Sequence, residues 1–354
     1  MFRTLRNLIV NTMAAFIRDR EARHRFRNKY KIRSKFRKLR DDNRRLFNEN
    51  KMLEGKLNSI QTDLTFLKTV LMNHTWLNPL YENPKIYLSA ACIAKNEGPY
   101  LKEWIEYHKL VGVERFYFYD NESTDETKEI LEHYINDGTV VYRYVVGRAM
   151  QRSVYHDAIL KARGQSRWLA LIDLDEFIVP MEKDTIPEFL KDYEEYPGVG
   201  INWMCFDGND HETKPTEHGG LVTANYLRVA KDCNQFSGTW TKCIVNPNEV
   251  IYCDGPHNYR YINYQTVTEN FEPYSAPYTK FHSSQKIKIN HYVRKSREEF
   301  EAKTFKGDAW HRKYAKRRKF ISNSPFFPPG TETTYDYAIQ KYVPRLKSVL
   351  GITE

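Results

Sequence analysis

Residues 169–180 read Leu-Ala-Leu-Ile-Asp-Leu-Asp-Glu-Phe-Ile-Val-Pro, with three carboxylates at the end of an apolar run. Trp168 to Ile172 is continuously hydrophobic, the pattern of a strand buried on both faces. Asp173, Asp175 and Glu176 follow where such a strand leaves its sheet. An Asp-x-Asp at that place offers oxygen ligands to a hard divalent cation, and a cation there can hold a diphosphate. Taken alone, the motif reads first as a solvated acidic turn, and what precedes it reverses that reading.

Read backwards, the chain alternates strand and helix. Ile86–Ile93 is a strand ending in Ala94-Lys95-Asn96-Glu97-Gly98, followed by helical spacing from Tyr100 to Val111. Arg115–Tyr119 is a second strand, ending in Asp120-Asn121-Glu122-Ser123. Ser123 and Glu126 have the spacing of a capping box for a helix that runs to about Asn136 and stops before Gly138. Thr139–Val145 is a third strand, and Gln151–Arg163 a third helix closed by Gly164. Strands alternating with helices of this length predict an α/β fold with a parallel sheet, in which ligands bind beyond the carboxyl ends of the strands. Asn96, Glu97, Asp120, Asn121, Asp173 and Asp175 all fall at those ends.

The residues also carry a family resemblance. Cys-Ile-Ala-Lys-Asn-Glu-Gly-Pro-Tyr-Leu-Lys-Glu-Trp-Ile-Glu-Tyr-His (92–108) and Gly-Val-Glu-Arg-Phe-Tyr-Phe-Tyr-Asp-Asn-Glu-Ser-Thr-Asp-Glu-Thr (112–127) resemble the opening of a GT-A glycosyltransferase. The likeness is to family 2-type and, more closely, family 92-type enzymes. Asp-Leu-Asp-Glu-Phe (173–177) and Ile-Asn-His-Tyr-Val-Arg-Lys-Ser-Arg-Glu-Glu-Phe (289–300) match in the same order. The resemblance implies a GT-A fold, Rossmann-like with a mostly parallel sheet flanked by helices. It also implies transfer of a sugar from a nucleotide-sugar, a UDP-sugar by expectation, with Mn2+ or Mg2+ as cofactor.

Site roles follow from the resemblance and keep their structural alternatives. Asn96, Glu97 and Asp120 are expected at the nucleoside, although Asp120 also suits an Asx turn. Asp175 is the first metal candidate, Asp173 a ribose or metal contact, and His291 the late histidine completing the metal shell. Without the resemblance, a histidine after a strand reads as structural. Lys295 and Arg152 are candidates for the diphosphate, with solvated surface as the alternative. Family 92-type enzymes are taken to invert the anomeric carbon, which requires one carboxylate base on the acceptor side. Asp210 and Asp207, in Trp-Met-Cys-Phe-Asp-Gly-Asn-Asp-His-Glu, are the base candidates, with Glu212 beside them and Asp232 and Asp254 behind. Trp203, Trp240 and Tyr259 read either as sugar-stacking rings or as core. Lys242 and His257 match family positions without a derivable role.

The first eighty residues are of another kind. Residues 1–51 hold 17 Lys+Arg against 5 Asp+Glu, and the rest of the chain 38 against 40, so the whole excess of +10 is N-terminal. A heptad pattern places Ile32, Leu39, Leu46, Leu53, Ile60 and Leu67 at d, and Phe36, Asn43, Asn50, Leu57, Leu64 and Leu71 at a. Leu at d with Asn at two a positions predicts a parallel homodimeric coiled coil over 32–78; a single helix folded on the catalytic domain is the alternative. Phe2, Leu5, Ile9, Met13, Phe16 and Ile17 form an apolar stripe too short and charged to span a bilayer. Residues 1–31 therefore read as an interfacial segment for an anionic membrane surface, or as a solvated basic arm.

The expected order is the basic segment 1–31, coiled coil 32–78, linker 79–85, glycosyltransferase domain 86–305, and a basic, proline-containing tail with a final helix over Tyr335–Leu350. Five cysteines without compact metal spacing predict reduced thiols and a cytoplasmic protein, peripheral on the inner face of the membrane. The expected partners are a nucleotide-sugar and a glycan or lipid-linked acceptor in surface polysaccharide or glycolipid synthesis, with no nucleic acid. The competing function is a nucleotide-binding coiled-coil scaffold, or a nucleic-acid-associated protein, that no longer turns over.

Overall fold

The computed structural model describes residues 11–16, 19–29, 38, 41–53, 56–57, 84–235, 238–262, 264–306 and 330–353. The chain divides into two units, 1–71 and 72–354. In the first, residues 11–15, 20–29 and 41–53 are helical. Arg45 and Glu49 pair one turn apart, the spacing at which helical side chains meet. Leu46 and Leu53 are 54% and 57% exposed, so two expected d positions show an open apolar edge within one chain. Most other heptad positions, the stripe at 2–9 and the linker at 79–83 lie outside the described residues.

In the second unit β1 (Ile86–Ala94), β2 (Arg115–Asp120), β3 (Val140–Tyr144) and β4 (Ser166–Leu171) run parallel in the order β4-β1-β2-β3. They are joined by α1 (Gly98–Leu110), α2 (Thr127–Asn136) and α3 (Gln151–Ala162). The α/β architecture with a largely parallel sheet is the one expected. Side-chain alternation explains the unbroken apolar runs. Ala90, Cys92, Phe116 and Phe118 pack with Trp104 and Ile105 of α1. Ala91, Ile93, Tyr117 and Tyr119 pack on the other face with Tyr155 and Ile159 of α3. Both faces are covered, so both residue parities must be apolar.

Beyond β4 the sheet changes direction. After β5 (Glu176–Pro180), β6 (Gly198–Cys205) and β7 (Arg228–Ala230), β8 (Thr241–Val245) inserts antiparallel between β4 and β6. β9 (Val250–Gly255) and β10 (Asn258–Tyr261) form a separate hairpin, and β11 (Thr266–Val267) and β12 (Pro273–Tyr274) complete the far edge of the main sheet. β13 (Ile287–His291) runs antiparallel to β5 and parallel to β6, setting His291 opposite both Glu176 and Cys205.

Two local expectations differ from the structure. Ser123 and Glu126 do not cap α2; Ser123 Oγ instead accepts the Asn96 N–H at 2.9 Å, while Asp125 accepts the N–H groups of Gly98 and Thr127. The capping spacing serves to tie the exits of β1 and β2 together. The final helix begins later than Tyr335, which lies in β14 (Thr333–Tyr335) opposite Arg228. The α-helix itself covers only Val343–Leu350, with Pro344 in its first turn, where a proline's missing N–H costs nothing.

His108 ties α1 to β5. It is fully buried, with Nδ1 2.8 Å from the Trp104 carbonyl and Nε2 3.4 Å from the Ile178 N–H. Burial pushes its pKa down to about 3. The folded protein therefore keeps His108 neutral while the unfolded chain takes up a proton below its ordinary pKa of about 6.5. Its contribution is complete above that value and is lost as pH falls through the window toward 3, at up to about 1.4 kcal/mol per pH unit. From His108 alone, denaturant unfolding is expected to lose about 2 kcal/mol between pH 6.5 and 5, ahead of the main carboxylate range, and the buried His257 adds to that loss. A flat profile there would refute the assignment.

Candidate active site at the strand ends

The loop after β4 sends its acids to opposite sides. Asp173 Oδ1 accepts hydrogen bonds from Gln151 Nε2 at 2.6 Å and the Tyr155 hydroxyl at 2.7 Å, both from α3. Asp173 Oδ2 lies 2.9 Å from Lys242 Nζ of β8. Lys242 is 1% exposed and also lies 3.8 Å from Glu176, which is completely buried. Burial pushes the Glu176 carboxyl well up, and Asp173 adds to that. Burial also acts to raise Asp173, but the Lys242 ammonium outweighs it and holds that carboxyl below its usual range. Glu176 thus sits in the polar network beneath the site.

Asp175 turns the other way. Its Oδ2 is 3.6 Å from His291 Nε2 and is in contact with Lys303 Nζ, which also donates to the Val293 carbonyl at 3.2 Å. Burial would raise the Asp175 carboxyl, yet Lys303 and His291 hold it well below the carboxylate range. His291 Nδ1 is buried without a hydrogen-bond partner. Lys303 was not singled out in the sequence. It lies on α4 (Arg297–Lys306), whose start is fixed by Ser296 and Glu299: the Glu299 N–H donates to Ser296 Oγ, and Glu299 Oε2 accepts the Ser296 N–H. The spacing Ser296-x-x-Glu299 was readable as a capping box; where the helix would aim Lys303 was not.

Lys295 precedes that cap with φ of 58° and is 7% exposed. Its ammonium stands 3.4 Å from the centre of the Tyr100 ring, a cation–π contact. Gly208 fits against the Lys295 carbonyl, where an added Cβ would come within 2.2 Å. Burial lowers the Lys295 pKa, while Glu97 at the mouth of α1 opposes that shift.

At the first two strand ends, Asn96 Oδ1 accepts the Thr124 N–H at 2.7 Å. Asp120 accepts the N–H of Ser123, three residues on, at 2.8 Å and the Tyr142 hydroxyl at 2.7 Å, so both its oxygens are held at the turn after β2. Arg152 is exposed in the first turn of α3. Asp207 and Asp210 meet at Arg228: its Nε is 2.8 Å from Asp207 Oδ2, and its two terminal nitrogens bind the Asp210 carboxylate. Their side chains are 9% and 81% exposed. Tyr259 is buried in the α3-side core, whereas Trp203 and Trp240 stay half-buried beside His257 and His291.

A divalent cation has a partial cradle here. Asp175 supplies a carboxylate oxygen and His291 an imidazole nitrogen, and 3.6 Å between those atoms is short enough for both to reach one ion. Among the described residues no three His, Cys, Asp or Glu side chains form a closed metal site.

The glycosyltransferase family 92 model matches residues 90–317. The chain belongs to glycosyltransferase family 92. A family 92 protein of Oryza sativa subsp. japonica is 31% identical over 157 residues, 44% of this chain and 26% of that protein. Galactan beta-1,4-galactosyltransferase GALS2 of Arabidopsis thaliana is 28% identical over 147 residues, 37% of this chain and 28% of that protein. The chain thus spans little more than a quarter of these family 92 relatives. Among solved structures, S. aureus TarS in complex with UDP aligns at TM-score 0.32 and 13% identity, over 46% of this chain and 47% of that one.

Proposed function

We propose that this family 92 chain is a metal-dependent inverting glycosyltransferase that moves a sugar from a UDP-sugar to a hydroxyl of a glycan or glycolipid acceptor. The observation that carries the reading is the pairing of Asp175 with His291 at the carboxyl ends of β4 and β13, inside the family match. The name of the Arabidopsis relative supports a galactosyl donor. Asp175 and His291 would hold Mn2+ or Mg2+, which would neutralise the diphosphate leaving group. Lys303 must then leave Asp175, and with Lys295 it would face the phosphates. Arg152 is a further phosphate candidate. Asn96, Glu97 and Asp120 would border the nucleoside, with Asp173 locked beneath by Lys242, Gln151 and Tyr155.

A thermal-shift measurement with UDP and Mn2+, separately and together, tests the reading. Stabilisation is expected only from the pair, because Lys303 stays on Asp175 and away from the phosphates until a cation takes its place. UDP alone giving the full shift, or no shift in any combination, would sink it. His291→Ala should demand more Mn2+ for half the shift, and an unchanged metal titration would return His291 to a structural role.

For the acceptor base, exposed Asp210 is the better placed of the Arg228 pair. Hydrogen bonds from Arg228 hold its carboxyl below the usual range, so it is ionised at neutral pH and gains basicity only when an acceptor loosens it from Arg228. Asp207, buried under the same guanidinium, is the positioning member. Asp210→Asn should cut turnover at least about tenfold, ~1.4 kcal/mol in the barrier, with UDP affinity unchanged. Asp207→Asn should instead lower the melting temperature, since it strands part of a buried charge pair. Full turnover by the Asp210 variant would move the base elsewhere.

The N-terminal unit would add a parallel dimer and an anionic-membrane contact, supported by the heptad pattern and the basic excess of residues 1–51. Among the described residues no helix is long and apolar enough to cross a membrane. Light scattering of the full chain and flotation with anionic against neutral vesicles check the two parts. A monomer, or flotation indifferent to lipid charge, removes the corresponding one.

A further inference from the structure

The rings beside His291 form a path that runs out to the surface. Trp203 lies 4.4 Å from His291, ring centre to ring centre, and stacks at 6.2 Å and 17° with Trp240. Trp240 continues to Tyr278, 5.9 Å away, through an isolated backbone bridge between the two residues. His257 fills the angle between the tryptophans, 5.1 Å from one and 4.9 Å from the other. Its Nδ1 lies 2.7 Å from the Thr241 carbonyl, and burial, with Lys242 nearby, lowers its pKa to about 3, so the ring is neutral.

We propose that Trp240 and Tyr278 are the platform on which an acceptor saccharide lies, with its reacting end directed toward His291. This rests on the transferase reading and adds to it the residues and path that receive the second substrate. Two observations support it. Tyr278 is 51% exposed and Trp240 half-buried, unlike Tyr259, whose ring is enclosed. Trp203 Nε1 is buried without a hydrogen-bond partner, a donor placed beside the inner end of the path. A pyranose meets both features, since its C–H face packs on an aromatic ring while its hydroxyls accept hydrogen bonds.

Sheet order separates this surface from the donor side. The strands run β6-β8-β4-β1-β2, so the acids after β4 stand in the middle. The nucleoside candidates Asn96 and Asp120 lie at β1 and β2, while Trp203 belongs to β6 and Trp240 directly precedes β8. A transferase needs its two substrates to approach the reacting carbon from opposite sides, and this order provides that separation.

Saturation-transfer NMR on the full chain with a panel of oligosaccharides ending in β-galactose or N-acetylglucosamine tests the platform, with UDP–Mn2+ affinity measured by calorimetry on the same samples. Tyr278→Ala and Trp240→Ala are expected to weaken binding of a responding oligosaccharide at least fivefold while UDP affinity is unchanged, and Trp240→Phe to keep most of it. The Tyr278 variant, changed at the surface, guards against a folding defect in the Trp240 one. Wild-type protein that binds UDP but no member of the panel overturns the platform, as does wild-type affinity in both alanine variants. Absence of UDP binding with Tyr278-dependent oligosaccharide binding intact sinks the transferase reading and leaves the platform standing.

Discussion

Replacing Asp175 with Asn is expected to reduce turnover at least about a hundredfold, ~2.7 kcal/mol in the barrier, with a cooperative unfolding transition close to that of the parent. The side chain leaves the sheet after β4, and among the described residues its carboxylate meets His291 and Lys303. An amide keeps the volume and removes the charge. Without that charge a divalent ion loses its anionic protein ligand, and Lys303 is freed toward the phosphates. UDP stabilisation should then become independent of Mn2+. Turnover above about a tenth of the parent, a loss below ~1.4 kcal/mol, would exclude Asp175 as metal ligand.

Lys242→Met should be the most destabilising single change near the site. The methionine matches the stem in volume but leaves Asp173 and Glu176 without their shared ammonium, and breaking a buried pair from one side costs about 3–5 kcal/mol. In a unit of this size that corresponds to a fall of roughly 10 °C in melting temperature. Adding Asp173→Asn to the same chain should recover part of the loss, since the stranded charge rather than the missing lysine carries the cost. If the double variant is no more stable than the single one, the penalty comes from packing.

The strand ends were legible because both parities of β1, β2 and β4 are apolar and each run stops abruptly in polar residues. Asp173 and Asp175 were found at such a stop, and His291 through the family resemblance. Lys242 was named without a role, and Lys303 and Arg228 were passed over, because pairing across the fold is invisible to local pattern. Lys242 sits inside a buried strand, Lys303 on a helix of ordinary surface composition, and Arg228 in a short strand between loops. Ser123 and Glu126 mimic a cap because the spacing does not record that Asn96, 27 positions earlier, takes the serine oxygen. Tyr335 failed for the same reason, since a pairing with Arg228 outweighs its local helical context. Tyr259 and Trp240 could not be separated in sequence, as both are aromatic residues beside strands and only burial distinguishes them.

The insertion of β8 beside β4 has a consequence for how the molecule is made. During synthesis β1 to β4 emerge together, but β4 keeps an open edge until residues 241–245 follow, some seventy positions later. A chain that has grown only to β6 therefore displays an unpaired apolar strand next to acids whose lysine has not yet arrived. Such an edge invites pairing with a neighbouring nascent chain. Closure of the sheet and neutralisation of Asp173 occur in one step, because Lys242 travels on the strand that closes it. Fragments ending before Thr241 should accumulate as aggregates, and those reaching past Val245 should be the first to become protease-resistant.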